Sequence, residues 1–188
     1  WLDLETNHND VFTNEIMEIY IQYADWFQCE SEPLEEFYSL IIPAQSQQSS
    51  FDSKTEFVKS LDLSTWCSHV FEVNGLLDEM YNVVDKTDKS VECVKKNLGE
   101  WLEYLTLKYK LNSIVFAGKN IHYDMTVINR VFGDVLKRYP IAKHTYDIST
   151  LYYIHKASGE DLSNSLAIHR AQSDVISTRF MNSILLKI

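Results

Sequence analysis

Apolar side chains change their spacing once along this chain, and that change limits the folds open to it. Before Pro43 they fall in three short runs: Trp1 to Leu4, Glu15 to Ala24 with Ile16, Ile19, Tyr20, Ile21 and Tyr23, and Phe37 to Ile42. Pro43 has no N–H to give a strand ladder and stops the third run. Polar, turn-like segments join the runs, which predicts an antiparallel meander. Gln45 to Ser53 is Ser/Gln-rich and predicts a loop. Beyond it the spacing becomes helical, over 54–62, 75–84 and 90–109. The last of these carries Val91, Val94, Leu98, Trp101, Leu102, Leu105 and Tyr109 at intervals of three and four, the mark of a core-facing stripe. Ile114 to Ala117 is a compact apolar run ending in Gly118, followed by a predicted helix from Asp124 to Tyr139 that Pro140 ends. An extended piece at Thr145 to Ile148 precedes a helix at Thr150 to Ala157, and a final helix covers Ala171 to Leu186. Strands first and alternation afterwards predict an α/β domain with a mixed central sheet flanked by helices.

A chain of 188 residues, 45% hydrophobic, suffices for one well-buried core and is short for two. A single domain over 1–188 is the expectation, with the start of its first strand open to continuation upstream. No apolar stretch approaches a membrane span and the N-terminus lacks the regions of a secretory signal, so a soluble, cytoplasmic protein with no membrane partner is expected. Cys29, Cys67 and Cys93 form no Cys-x-x-Cys pair, which argues against a disulfide framework or a thiolate zinc site and for a reducing compartment. With 27 acidic against 17 basic residues and a formal charge of −10, the chain is a poor candidate for coating duplex DNA through a broad basic surface. A nuclease stays open, because an enzyme that meets phosphate through bound Mg²⁺ gathers carboxylates at its site.

Three acidic features carry chemistry. In Trp1-Leu2-Asp3-Leu4-Glu5, strand alternation sends Leu2 and Leu4 to one face and Asp3 with Glu5 to the other. Two buried like charges need a compensating cation, and a divalent-metal site meets that need; an edge strand with a wet outer face is the plainer reading of the pair alone. Asp124 follows the apolar run and its Gly/Asn turn, at a strand end where α/β proteins place chemistry, and is equally well read as a helix N-cap. His169 precedes Asp174 by five residues, so a loop histidine and a carboxylate one helical turn inside could share a pocket.

The order of these features, with their surroundings, resembles the DEDDh class of 3′→5′ exonucleases, and among them the oligoribonucleases. Asp-Leu-Glu at 3–5 matches the first motif, Asn-Gly-Leu at 74–76 resembles the family's Ser-Gly-Leu, and Gly-Lys-Asn-Ile-His-Tyr-Asp at 118–124 resembles its Gly-Asn-Ser-Ile-x-x-Asp. Asp-Ile-Ser-Thr-Leu at 147–151 and His-Arg-Ala with Asp174 complete five matches in order across nearly the whole chain. The resemblance implies a ribonuclease H-like fold, a site in which Asp3, Glu5, Asp124 and Asp174 hold two Mg²⁺ ions with Mn²⁺ as a substitute, and His169 as the base that activates water. It also implies short single-stranded RNA or DNA as partner, release of nucleoside 5′-monophosphates, and a homodimer.

For substrate contact the resemblance points to Trp66 and Phe71 as stacking residues and to Ser149 near the substrate's 5′ phosphate. Core packing for both aromatics and helix capping for Ser149 are the alternatives. Three departures bear on specificity. Asn7-His8-Asn9 stands where oligoribonucleases carry Gly and an apolar wedge, Lys143-His144 where they carry Tyr-Arg, and Phe71 where several carry His. A broader single-stranded DNA/RNA exonuclease is therefore the second expectation, and a catalytically idle nucleic-acid-binding module the third.

Overall fold

Alternation in Leu2–Thr6 (β1) and pairing with Ile16–Tyr23 (β2) set the frame of the molecule. The structure is a computed structural model that describes residues 1–24, 33–47, 51–157 and 169–185. β2 runs antiparallel to β1 on one side and to Glu35–Leu40 (β3) on the other, giving the spatial order β1-β2-β3. The register pairs Leu2 with Ile21, Leu4 with Ile19, and Ile21 with Phe37, so these side chains share one face. That face is covered by Val91–Tyr109 (α4) through Val94, Leu98 and Leu102, and by Ile121–Leu136 (α5) through Val127, Ile128 and Phe132. The opposite face presents Trp1 and Tyr20 to Ala171, Val175 and Met181 of Ala171–Leu185 (α7).

A second pair of strands, Ala117–Gly118 (β4) and Tyr146–Asp147 (β5), is parallel. β4 lies close beside β1. A Cβ on Gly118 would stand 2.9 Å from the Leu2 carbonyl oxygen and 2.9 Å from Ile121 Cδ1, so the absence of a side chain permits the approach. Three short helices, Lys54–Ser60 (α1), Thr65–Val73 (α2) and Leu76–Tyr81 (α3), pack Phe57, Leu61, Cys67, Phe71, Leu76 and Met80 onto Met17, Leu40 and Ile42. Ser149–Ala157 (α6) follows β5. The result is a mixed α/β domain with a small sheet between helices. No helix among the described residues is long and apolar enough to cross a membrane.

The three early strands match the sequence expectation; several boundaries do not. α2 was not foreseen, although Ser64 caps it by accepting from the Cys67 N–H. Of the Ile114–Ala117 run only Ala117 joins a ladder, while Ile114 makes a single bridge to Ile141. α5 begins at Ile121 rather than Asp124, because Asn120 takes the left-handed conformation (φ 56°) and turns the chain into the helix early. The expected loop opens with a short 3₁₀ turn at Ala44–Ser46. Cys29, residues 48–50 of that loop and Leu186 lie outside the described residues.

Just before β1 the Trp1 nitrogen is buried and donates to the Gln22 carbonyl at 2.7 Å. An apolar cavity of about 310 Å³ lies alongside, lined by Trp1, Tyr23, Trp101, Leu105 and Phe116 among others.

Candidate metal centre

The face of β1 opposite Leu2 and Leu4 carries Asp3 and Glu5, as alternation requires. Asp124 reaches the same strand from the first turn of α5, where its Oδ1 accepts from the Leu4 N–H at 3.1 Å. The left-handed Asn120 makes this possible, since it leaves Asp124 inside the helix and buried rather than at a solvent-facing cap. From the other side comes α7. His169 precedes it in the left-handed region (φ 53°), and Asp174 sits one turn in, its N–H bonded to the Arg170 carbonyl at 3.0 Å. Glu5, His169 and Asp174 each offer a ligand atom, and these atoms all lie within 4.8 Å of one another. Residues more than 160 positions apart in the chain thus converge.

The electrostatics are those of an acidic cluster short of positive charge. Burial is the largest cause raising Glu5 to about 9, followed by Asp174, Glu18 and Asp124, with Arg170 opposing. Asp3 is held well above the usual carboxylate range by burial, then by Asp124, Glu5, Asp174 and Glu18 in that order. Asp124 rises to about 8, again chiefly through burial; the N–H groups it accepts from pull it down and the charge of Asp147 pushes it up. Such a cluster must either retain protons or take up a cation. The donors are carboxylate oxygens with one imidazole, which suits a hard divalent ion of the Mg²⁺ or Mn²⁺ kind.

Glu18 is a residue the sequence reading missed. It is the direct cross-strand neighbour of Glu5 and is fully buried. Its Oε1 accepts from Arg170 Nε at 3.0 Å and from Arg170 Nη2 at 2.9 Å, and its Oε2 accepts from the Ala171 N–H at 2.8 Å. An acid set inside the apolar run Ile16-Met17-Glu18-Ile19 was the available signal.

Trp66 is 51% exposed and meets the His169 ring edge-on, with centroids 4.9 Å apart, so its free surface lies at the rim of the cluster. Phe71 corrects the expectation made for it. Its ring is wholly enclosed among α1, α2 and α3, and a side chain with no accessible surface cannot stack on a base. Ser149 is used locally: its Oγ accepts from the Asn120 N–H at 2.8 Å and its own N–H donates to Asp147 Oδ1 at 2.9 Å, tying the two strand-to-helix turns together. Asn7 is buried and accepts from the Glu15 N–H at 2.7 Å, so it closes the β1–β2 connection. Lys143 and His144 are exposed.

No protein-family model matches the chain, and no curated protein matches it.

Proposed function

We propose that the chain is a metal-dependent 3′→5′ exonuclease of the DEDDh type, with a ribonuclease H-like fold, acting on short single-stranded oligonucleotides and on oligoribonucleotides first. The observation that carries the reading is the meeting of Glu5, His169 and Asp174 within 4.8 Å, beside an Asp3 and an Asp124 that share their electrostatic field. Asp3, Glu5, Asp124 and Asp174 would hold two Mg²⁺ ions, which when bound stabilise the attacking and leaving oxygens of an in-line displacement.

His169 accepts a proton from the attacking water at a ring nitrogen, acting as the general base. The water oxygen bonds to phosphorus, the P–O3′ bond breaks with its electron pair passing to O3′, which takes a proton from solvent to become the new 3′-hydroxyl, and the released terminal residue is a nucleoside 5′-monophosphate. Trp66 offers its exposed face to a terminal base, the usual way a sequence-tolerant site grips a single strand. Asn7, occupied in closing a turn, supplies no apolar wedge, and this favours the broader single-stranded DNA/RNA exonuclease as the second reading.

Time-resolved product analysis on matched RNA and DNA ladders ending in dinucleotides, with and without Mg²⁺, tests both. Mononucleotides appearing stepwise from the 3′ end only with Mg²⁺ support the exonuclease. Equal rates on long and short strands reject the oligoribonucleotide preference, and binding without hydrolysis in Mg²⁺ or Mn²⁺ leaves an idle binding module. The homodimer is part of the proposal, and light scattering on the eluted protein decides it.

A further inference from the structure

His169 adopts the left-handed backbone conformation (φ 53°), uncommon outside glycine, and its neighbours are placed to hold it there. The groups that hold it come from three directions. Asn74, at the end of α2, donates its amide to the His169 carbonyl at 2.5 Å. The next residue, Arg170, spans two acids: Nε and Nη2 reach Glu18 on β2 at 3.0 and 2.9 Å, and Nη2 reaches Glu79 on α3 at 2.5 Å. Glu18 then takes the Ala171 N–H with its second oxygen at 2.8 Å. Since Glu18 stands directly opposite Glu5 across the β1–β2 ladder, the histidine and the first-strand acid are positioned from the same pair of strands.

We propose that Arg170, gripped by Glu18 and Glu79, is the positioning residue that sets the His169 imidazole against Glu5 and Asp174. This inference rests on the exonuclease reading. The chemistry of the pair explains why arginine stands there. A buried carboxylate is costly unless it is both paired and hydrogen-bonded, and a planar guanidinium can satisfy Glu18 through two nitrogens while still reaching Glu79. A lysine ammonium offers one point charge on a flexible stem and cannot hold the same two directions at once.

The test compares R170K, E79A and E79Q with the unaltered chain, with H169A marking the floor. R170K is expected to lower kcat about tenfold while KM and Mn²⁺ affinity stay within about twofold, because orientation rather than binding is lost. E79A is expected to lower kcat about threefold, and E79Q, which keeps an oxygen for Arg170, to restore it. An R170K kcat within twofold of the parent overturns the proposal, as does a parallel loss of kcat and Mn²⁺ affinity, which would mean general damage. If R170K does not fold, the E79A and E79Q pair decides, and E79Q behaving like E79A overturns it. Amide exchange keeps this separate from the activity. In R170K the Ala171 amide should exchange about tenfold faster while the Leu4 amide is unchanged. A parent that hydrolyses nothing removes the exonuclease reading, whereas unaltered Ala171 exchange removes the clamp.

Discussion

Leu2 and Leu4 leave β1 on one side, Asp3 and Glu5 on the other, and the two sides of this five-residue strand obey opposite energetics. Among the described residues the leucines join fourteen other buried residues of one continuous core, and each gains by leaving water. The acids enter an environment that penalises their charge and place it near more of the same sign. A strand that folds for one face and is strained on the other has given part of its stability to a site. The core face should fail by unfolding, and the acidic face by losing chemistry while the fold persists.

The sharpest way to break that contrast is Asp174→Asn. We expect turnover to fall by about 10³-fold or more, with an unfolding midpoint in metal-free buffer equal to or above that of the parent, since one repelling charge is gone. Full turnover would remove Asp174 from the site. Leu4→Ala, one residue from two of the acids, should instead cost about 3 kcal/mol in chemical denaturation, from lost burial and a partly unfilled cavity. A cost below about 1 kcal/mol would show that the two faces differ less than their packing indicates.

Next comes the effect of pH. Glu5 and Asp124 have folded-state values raised to about 9 and about 8, so their contribution is fully present below their unfolded values and is lost as pH rises through the folded ones. Without divalent ions the thermal midpoint should therefore decline from about pH 5 towards pH 9. Added Mg²⁺ should raise the midpoint, and more at pH 8 than at pH 6, because carboxylates must lose protons to bind it. A Mg²⁺ effect independent of pH would contradict the coupling. The smallest effect belongs to Trp66→Ala, expected to raise KM about tenfold with little change in kcat, as one lost stacking contact would do. Unchanged KM would return Trp66 to a purely structural role against His169.

Legibility in the sequence followed the same division. β1 was readable on both faces because alternation alone separates Leu2 and Leu4 from Asp3 and Glu5. Asp124 was readable as a candidate at a strand end or a helix cap but not as a buried residue, since the early helix start depends on Asn120 adopting a positive φ that the sequence does not announce. Glu18 escaped because a lone acid in a strand ordinarily marks a solvated position, and only the fold brings Arg170 to it. α2 escaped because Trp66 and Val73 are exposed while Cys67 and Phe71 are buried, which blurs the apolar period. The same helix explains the error at Phe71. Five residues at about 100° each turn Trp66 and Phe71 well away from one another, so one ring meets the site and the other the core.

Gly118 makes the acidic cluster sensitive to a position that carries no charge. Any side chain there would meet the Leu2 carbonyl oxygen and Ile121 at 2.9 Å, pushing β4 away from β1 just where α5 begins. Asp124 hangs from that helix and is tied to β1 through the Leu4 N–H, so the gap between two backbones sets where its carboxylate stands.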